Sequence, residues 1–108
     1  MNGAMSGTIL ENFTVSEIVK SYYNTGREPF LYYYRDKDTK EIDLIIESNG
    51  KLFPMEIKKT ATPDIRLTRV FGAIDKSPLQ RGTSAILCTA ENFSAFDKDN
   101  LIVPIGMI

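Results

Sequence analysis

Two acidic residues and one lysine are the side chains best suited to chemistry in this 108-residue sequence. Asp43 lies in one apolar segment, and Glu56 and Lys58 lie in the next. Carboxylates are preferred ligands of Mg²⁺ and Mn²⁺, and a lysine beside them can hold or deprotonate an attacking water or neutralise charge on a phosphate. The three residues therefore indicate a metal-dependent hydrolytic site if the fold brings them together.

The dipeptide Asn49-Gly50 predicts how the two segments meet. Both residue types tolerate positive φ, so Asn-Gly between apolar segments is typical of a two-residue β-hairpin turn. We expect strands over Glu41–Ser48 and Lys51–Lys58, with the residues that flank the turn opposite each other. Every further pair then follows from that register.

The predicted register separates an apolar face from a polar face, because alternate residues of a strand point the same way. On the apolar face the expected pairs are Ile46 with Phe53, Leu44 with Met55 and Ile42 with Ile57. On the polar face the expected pairs are Ile45 with Pro54, Asp43 with Glu56 and Glu41 with Lys58. The hairpin is thus expected to supply half of a core and to place the candidate residues on one surface.

Asp43 directly opposite Glu56 is an unfavourable arrangement, since like charges in that position destabilise a sheet. A Mg²⁺ or Mn²⁺ ion between the two carboxylates would compensate the repulsion. Lys58 offers an alternative, because it can pair with Glu41 across the strands or soften the repulsion without any metal. Pairing geometry leaves both interpretations open.

The rest of the chain is predicted to complete one α/β domain over residues 7–108, with residues 1–6 a disordered terminus or a cloning remnant. Further strands are expected at Phe30–Arg35, Thr83–Thr89 and Leu101–Ile105. The last two are apolar throughout, as strands buried on both faces are. A second helix is expected around Ile65–Lys76, which gives the element order αβββαββ.

The first helix is expected to run from Thr8 to about Asn24 and to stop at Gly26. Glu11 stands three residues after Thr8, where it would complete a capping box. Apolar residues surround most of this helix, which indicates that it packs against the sheet and against a second partner.

Composition and charge narrow the class of protein. Hydrophobic content of 43% with 25% charged residues is typical of a globular domain, and no apolar run is long enough to span a membrane. The lone Cys88 excludes an internal disulfide and fits a reducing compartment, so we expect a cytoplasmic protein with no membrane partner.

Positive charge is concentrated in the segment Lys58–Arg81. This segment holds six basic residues and two acidic ones, a balance of +4, so the rest of the chain carries −5 of the total of −1. Lys59, Arg66 and Arg69 are candidate contacts for nucleic-acid phosphates. An ordinary solvated helix face is the alternative interpretation.

Asp43, Glu56 and Lys58 resemble the D…(D/E)-x-K signature of PD-(D/E)XK nucleases, whose core has the order αβββαβ with these residues on its second and third strands. Resolvases of that superfamily also carry G-x-x-x-E at the first helix, and Gly7 precedes Glu11 at the same spacing. The resemblance implies a restriction-endonuclease-like mixed β-sheet flanked by helices and a DNA substrate. It also implies Mg²⁺ or Mn²⁺ held by Asp43, Glu56 and Glu11, with Lys58 as a further catalytic residue.

Four segments resemble the C-terminal domain of unknown function attached to many prokaryotic AAA-type ATPases: Gly7–Phe13, Tyr33–Asp36, Glu41–Leu44 and Met55–Thr60. The resemblance implies that an ATPase lobe of the same parent chain is a partner of this domain. No G-x-x-x-x-G-K-[ST] motif is present, so we expect no ATP site in these 108 residues. An inactive accessory module that binds nucleic acid or a protein is the alternative function.

Overall fold

The computed structural model describes residues 7–26, 30–38 and 40–107, with the side chains of 10–26, 30–38 and 40–106. Within these ranges the chain forms one α-helix, α1, at Gly7–Asn24. The strands are β1 (Leu31–Arg35), β2 (Glu41–Ser48), β3 (Lys51–Ile57), β4 (Gln80–Arg81), β5 (Ser84–Cys88), β6 (Ser94–Asp97) and β7 (Asn100–Pro104). Two 3-10 helices are Ile65–Lys76 and Ile105–Met107. Residues 1–6, expected to be a disordered terminus or a cloning remnant, lie outside the described ranges.

The described strands belong to one mixed sheet. Its order is β1-β2-β3-β5-β7-β6, and β4 lies beside the start of β3. The β1–β2, β2–β3 and β6–β7 pairs are antiparallel, whereas β3–β4, β3–β5 and β5–β7 are parallel. The prediction of a mixed α/β sheet is confirmed. The sequence order αβββαββ omitted β4 and β6, because both are short and mostly exposed and so carry no apolar pattern.

A helix packs on each face of the sheet. The core beneath α1 contains Leu10, Ile18, Leu44, Ile46, Ile57, Ala85 and Leu87. The core beneath the 3-10 helix contains Ile42, Ile45, Leu52, Phe71, Ile74, Ile86 and Cys88. β5 is buried on both faces as predicted, whereas β7 is only half-buried before Pro104, because the edge strand β6 leaves it near the margin of the sheet.

The hairpin turn follows the sequence prediction. Asn49 and Gly50 have φ angles of 53° and 77°, as the predicted turn requires. The strands pair in the predicted register from the turn as far as Leu44 opposite Met55. Pro54 has no N–H to donate, and it lies where β3 changes its neighbour from β4 to β5.

The helix predicted at Ile65–Lys76 is present, but it is a 3-10 helix and not the expected α-helix. Its two buried residues, Phe71 and Ile74, are three positions apart, which matches the repeat of a 3-10 helix. Asp64 caps the start by accepting a hydrogen bond from the Arg66 N–H at 2.8 Å. The helix thereby covers the sheet face opposite α1.

Candidate active site

β2 carries a bulge at the position of Asp43. Beside β1, Asp43 and Leu44 together oppose the single residue Tyr33. Bulges re-aim side chains and are common next to active sites. The extra residue reverses the alternation, so Ile42 packs in the core beneath the 3-10 helix while Ile57 packs beneath α1. The expected pairing of Ile42 with Ile57 on one face is therefore wrong.

The hairpin opens at the same position, and two carboxylates occupy the opening. Regular pairing of β2 with β3 ends at Leu44 and Met55. Beyond it, the Ile57 N–H donates to Asp43 Oδ2 at 2.9 Å, and the Asp43 N–H donates to Glu56 Oε1 at 3.3 Å. Each carboxylate thus binds the main chain of the opposite strand. Asp43 and Glu56 are neighbours, as predicted. Hydrogen bonds from main-chain N–H groups to their carboxylates hold the strands together here, where main-chain pairing was expected.

Burial and nearby negative charge raise the pKa values of Asp43 and Glu56. Burial, followed by the charge of Asp43, raises the pKa of Glu56 to about 7. Burial also raises the pKa of Asp43, with Glu41 adding to the rise, although the Ile57 N–H and Lys58 oppose it. Glu56 therefore holds a proton for part of the time near neutral pH when no cation compensates the pair.

Lys58 lies one residue beyond β3, with its side chain exposed. Its main-chain N–H donates to the Leu87 carbonyl oxygen at 2.8 Å, which holds this residue beside β5. The Lys58 charge lowers the pKa of both Asp43 and Glu56, so the ammonium group stands near the two carboxylates. The three residues singled out from the sequence are therefore neighbours.

The ion pair between Lys58 and Glu41, which the sequence left open as an alternative to a metal, is not formed within the described residues. Glu41 Oε1 lies 3.2 Å from Arg35 Nε, because β1 pairs Arg35 directly with Glu41. Sequence reasoning missed Arg35. The signal was the short loop between β1 and β2, which makes these strands antiparallel neighbours and places their facing ends together.

Glu11 approaches the site from α1. Burial, then the charges of Asp43 and Glu41, raises its pKa. The helix begins at Gly7, and capping by Thr8 and Glu11 stays an alternative prediction. The side chain of Thr8, the expected cap, lies outside the described side chains. Glu11 is therefore close enough to the carboxylate pair to interact with it electrostatically.

The described residues bring two candidate carboxylate ligands into contact, Asp43 and Glu56. Among residues 7–26, 30–38 and 40–107, no three acidic, histidine or cysteine side chains lie close enough together to hold one metal ion. Glu11 interacts electrostatically with Asp43 and Glu56, which is a weaker association than shared coordination. The structure thus supports Asp43 and Glu56 as a pair, while Glu11 as a third ligand stays a prediction.

The three candidate phosphate contacts are exposed. Arg66 donates to Asp64 from Nε at 3.1 Å and from Nη2 at 2.8 Å, so its guanidinium is already held. Arg69 lies one 3-10 turn further on and lines a polar cavity. Lys59 follows Lys58 at the end of the hairpin. Nucleic-acid binding by Lys59, Arg66 and Arg69 stays a prediction.

The fold is a mixed α/β domain, and the pair of Asp43 and Glu56 is its candidate functional site. The family described as "Domain of unknown function (DUF4143)" matches residues 6–108, and the chain belongs to this family. No solved structure matches the chain.

Two mycobacterial proteins are similar to the chain: the uncharacterized protein Rv2008c of Mycobacterium tuberculosis and the uncharacterized protein Mb2031c of Mycobacterium bovis. Each is 32% identical over 78 residues, which is 72% of this chain and 17% of the relative. The chain thus spans only a small part of the length of these relatives. Within the described residues, no helix has the length and apolar character needed to cross a membrane.

Proposed function

We propose that this chain is a nuclease-like domain that hydrolyses DNA phosphodiester bonds with the help of Mg²⁺ or Mn²⁺. The contact between Asp43 and Glu56 across the opened hairpin carries the proposal. A bulge and the loss of regular pairing put two acidic groups together at a cost to the fold. Such a cost is typical of functional sites.

The donor set fits a hard divalent cation. Mg²⁺ is usually bound through one or two carboxylates, with waters and substrate phosphates as its other ligands. Asp43 and Glu56 are suited to that role, and a bound cation would polarise a phosphate and activate water. The raised pKa of Glu56 is consistent with this assignment, because a nearby cation would favour its ionised form.

Lys58 is suited to act on the attacking water or on the phosphate. Its side chain is exposed and interacts electrostatically with both carboxylates, so it is suited to donate hydrogen bonds to a water or to offset charge that develops on phosphate oxygens. The chain has no histidine, so proton transfer falls to Lys58, to a carboxylate or to water. In this proposal Glu11 tunes the pair from α1 or completes the ligand set when substrate is bound.

The arrangement of elements supports a restriction-endonuclease-like fold. Helix α1 precedes three antiparallel strands, and β5 then joins β3 in parallel after the 3-10 helix. We also propose that the domain is the C-terminal part of a larger cytoplasmic ATPase. The small share of the mycobacterial relatives that the chain spans is consistent with a longer parent protein.

A cleavage assay tests the catalytic proposal. Wild-type protein with Mn²⁺ or Mg²⁺ should cut duplex, single-stranded or branched DNA, and Asp43→Asn should lower the rate about 100-fold or more. Glu47→Gln is the matched control, because Glu47 lies on the same strand but accepts a hydrogen bond from Tyr32. Cleavage that Asp43→Asn leaves unchanged would reject this site.

A second candidate function is an accessory module that binds a protein or nucleic acid without cutting it. Two exposed aromatic residues of α1, Phe13 and Tyr23, favour it, since they are 45% and 63% exposed. Exposed aromatic side chains are enriched at protein interfaces. Salt-dependent DNA binding without cleavage in any divalent cation would favour this module over the enzyme.

A further inference from the structure

A polar cavity of about 630 Å³ lies at the end of the sheet away from the carboxylates. It is lined by the start of β3, by β4, by the loop that enters β5 and by the middle of the long 3-10 helix. Lys51 in the cavity and Glu56 at the site are separated by five residues of one strand, which is roughly 16 Å. The two places are therefore distinct.

Three cationic side chains line this cavity: Lys51, Arg69 and Arg81. They come from three different elements, so the fold and not the local sequence brings them together. Asp99 is the acidic residue among the lining side chains. The lining therefore carries an excess of positive charge, although the chain as a whole has a net charge of −1.

The cations keep donors that can reach a ligand. Among the described residues, neither Lys51 nor Arg69 forms an ion pair. Arg81 binds Asp75 through Nε at 3.1 Å, which leaves the two terminal nitrogens of its guanidinium. Arginine presents several donors in a planar fork that matches phosphate oxygens, and lysine adds a point charge.

The other lining groups suit a ligand larger than one phosphate. A volume of about 630 Å³ lies in the range of cavities that hold small organic molecules. The lining includes the aromatic ring of Phe53 and the side-chain amide of Gln80, whereas the amide of Asn100 is already bonded to Ser84 and Asp97. An aromatic ring can stack on a base, and amides can bind its polar edge. Gly82 lies against the Phe53 ring, because a side chain at this position would overlap the ring.

We propose that this cavity binds a phosphorylated ligand of nucleotide size, either a free nucleotide or the phosphorylated end of a nucleic-acid strand. Arg69, Arg81 and Lys51 hold the phosphate, and Phe53 lies beside the base. No residue is shared with the carboxylate site, so the proposal stands whether or not the domain cuts DNA.

Calorimetric titration of the 108-residue chain at low salt tests the inference. The probes are adenosine 5′-monophosphate, adenosine, and a short single-stranded oligonucleotide with either a 5′-phosphate or a 5′-hydroxyl. Binding of the mononucleotide identifies a free nucleotide as ligand, whereas binding of the 5′-phosphorylated oligonucleotide alone identifies a strand end. Absence of binding by both phosphorylated probes, or equal binding with and without the phosphate, would overturn the proposal.

Two charge-removing variants on the same 3-10 helix locate the binding. Arg69→Gln should weaken binding of the phosphorylated probe about 10-fold or more, because a charge-assisted contact is lost. Lys76→Gln removes an exposed charge outside the cavity lining and should change affinity less than 2-fold. Equal losses in both variants would show general attraction to positive charge and would reject the cavity. Lys51→Gln on β3 repeats the test should Arg69→Gln not fold.

Discussion

The two ends of the β2–β3 hairpin are held together in different ways. At the turn, Asn49 and Gly50 adopt positive φ and the strands pair without interruption. At the far end the ladder stops, and the carboxylates of Asp43 and Glu56 bind main-chain N–H groups of the opposite strand. The turn end is built for stability, whereas the open end accepts repulsion between like charges. This contrast is what marks the open end as the candidate site.

The open end predicts a pH-dependent gain in stability for Glu56→Gln. Below pH 4.5 the carboxyl group is protonated in the folded and unfolded protein, so neither burial of its charge nor repulsion from Asp43 lowers stability. As pH rises toward 7 the unfolded state loses the proton first, and wild-type stability falls. Above pH 7 the cost is complete. After allowance for solvent screening, the variant should gain about 1–2 kcal/mol at pH 8 and almost nothing at pH 4.

Urea unfolding at both pH values measures this gain. Glutamine keeps an oxygen that can accept the hydrogen bond from the Asp43 N–H. Glu47→Gln, a glutamate replacement on the neighbouring strand, is the control. A loss of stability in Glu56→Gln at pH 8, or an equal gain in Glu47→Gln, would contradict a strained carboxylate pair.

The turn end predicts a loss of stability that does not depend on pH. Gly50→Ala should destabilise the protein by about 1 kcal/mol, because alanine is strained at a φ of 77°. Space is not the reason, since nothing lies within 4 Å of a Cβ built at Gly50. Gly106→Ala is a matched control, because a Cβ there also meets nothing within 4 Å and its φ lies outside the strained range. Equal losses of stability in the two variants, measured by thermal unfolding, would show that positive φ at the turn has no special role in stability.

The smallest expected effect concerns the ion pair at the margin of the site. Arg35→Gln frees Glu41, whose charge adds to the raised pKa of Asp43 and Glu11. We expect a loss below about 1 kcal/mol at pH 8, which disappears at high salt. Lys20→Gln, which breaks the exposed pair with Glu17, should cost less. Equal losses in thermal unfolding would show that Glu41 does not act on the carboxylates.

The sequence predicted the parts of the fold that local chemistry specifies. The turn dipeptide fixed the register near it, Gly26 ends α1 with a φ of 74°, and the apolar run of β5 indicated a strand buried on both faces. These features depend on few residues that are close in the chain. They explain why Asp43, Glu56 and Lys58 could be placed together in advance.

Other features depend on contacts between distant segments. The bulge opposite Tyr33 arises from how β1 meets β2, and nothing in the hairpin itself indicates it. The short strands β4 and β6 form only because β3 and β7 offer an edge. The cavity collects Lys51, Arg69 and Arg81 from separate elements, so only the folded chain brings them together. No short sequence pattern around any of these residues predicts that they lie together.

Binding of Mn²⁺ tests the central claim most directly. Calorimetric titration at pH 8 should reveal one site in the wild-type chain and in Glu47→Gln, and Asp43→Asn should abolish it, because the opened hairpin then offers one carboxylate in place of two. Absence of a site in the wild-type chain, or unchanged affinity in Asp43→Asn, would contradict the assignment of Asp43 and Glu56 as a metal-binding pair.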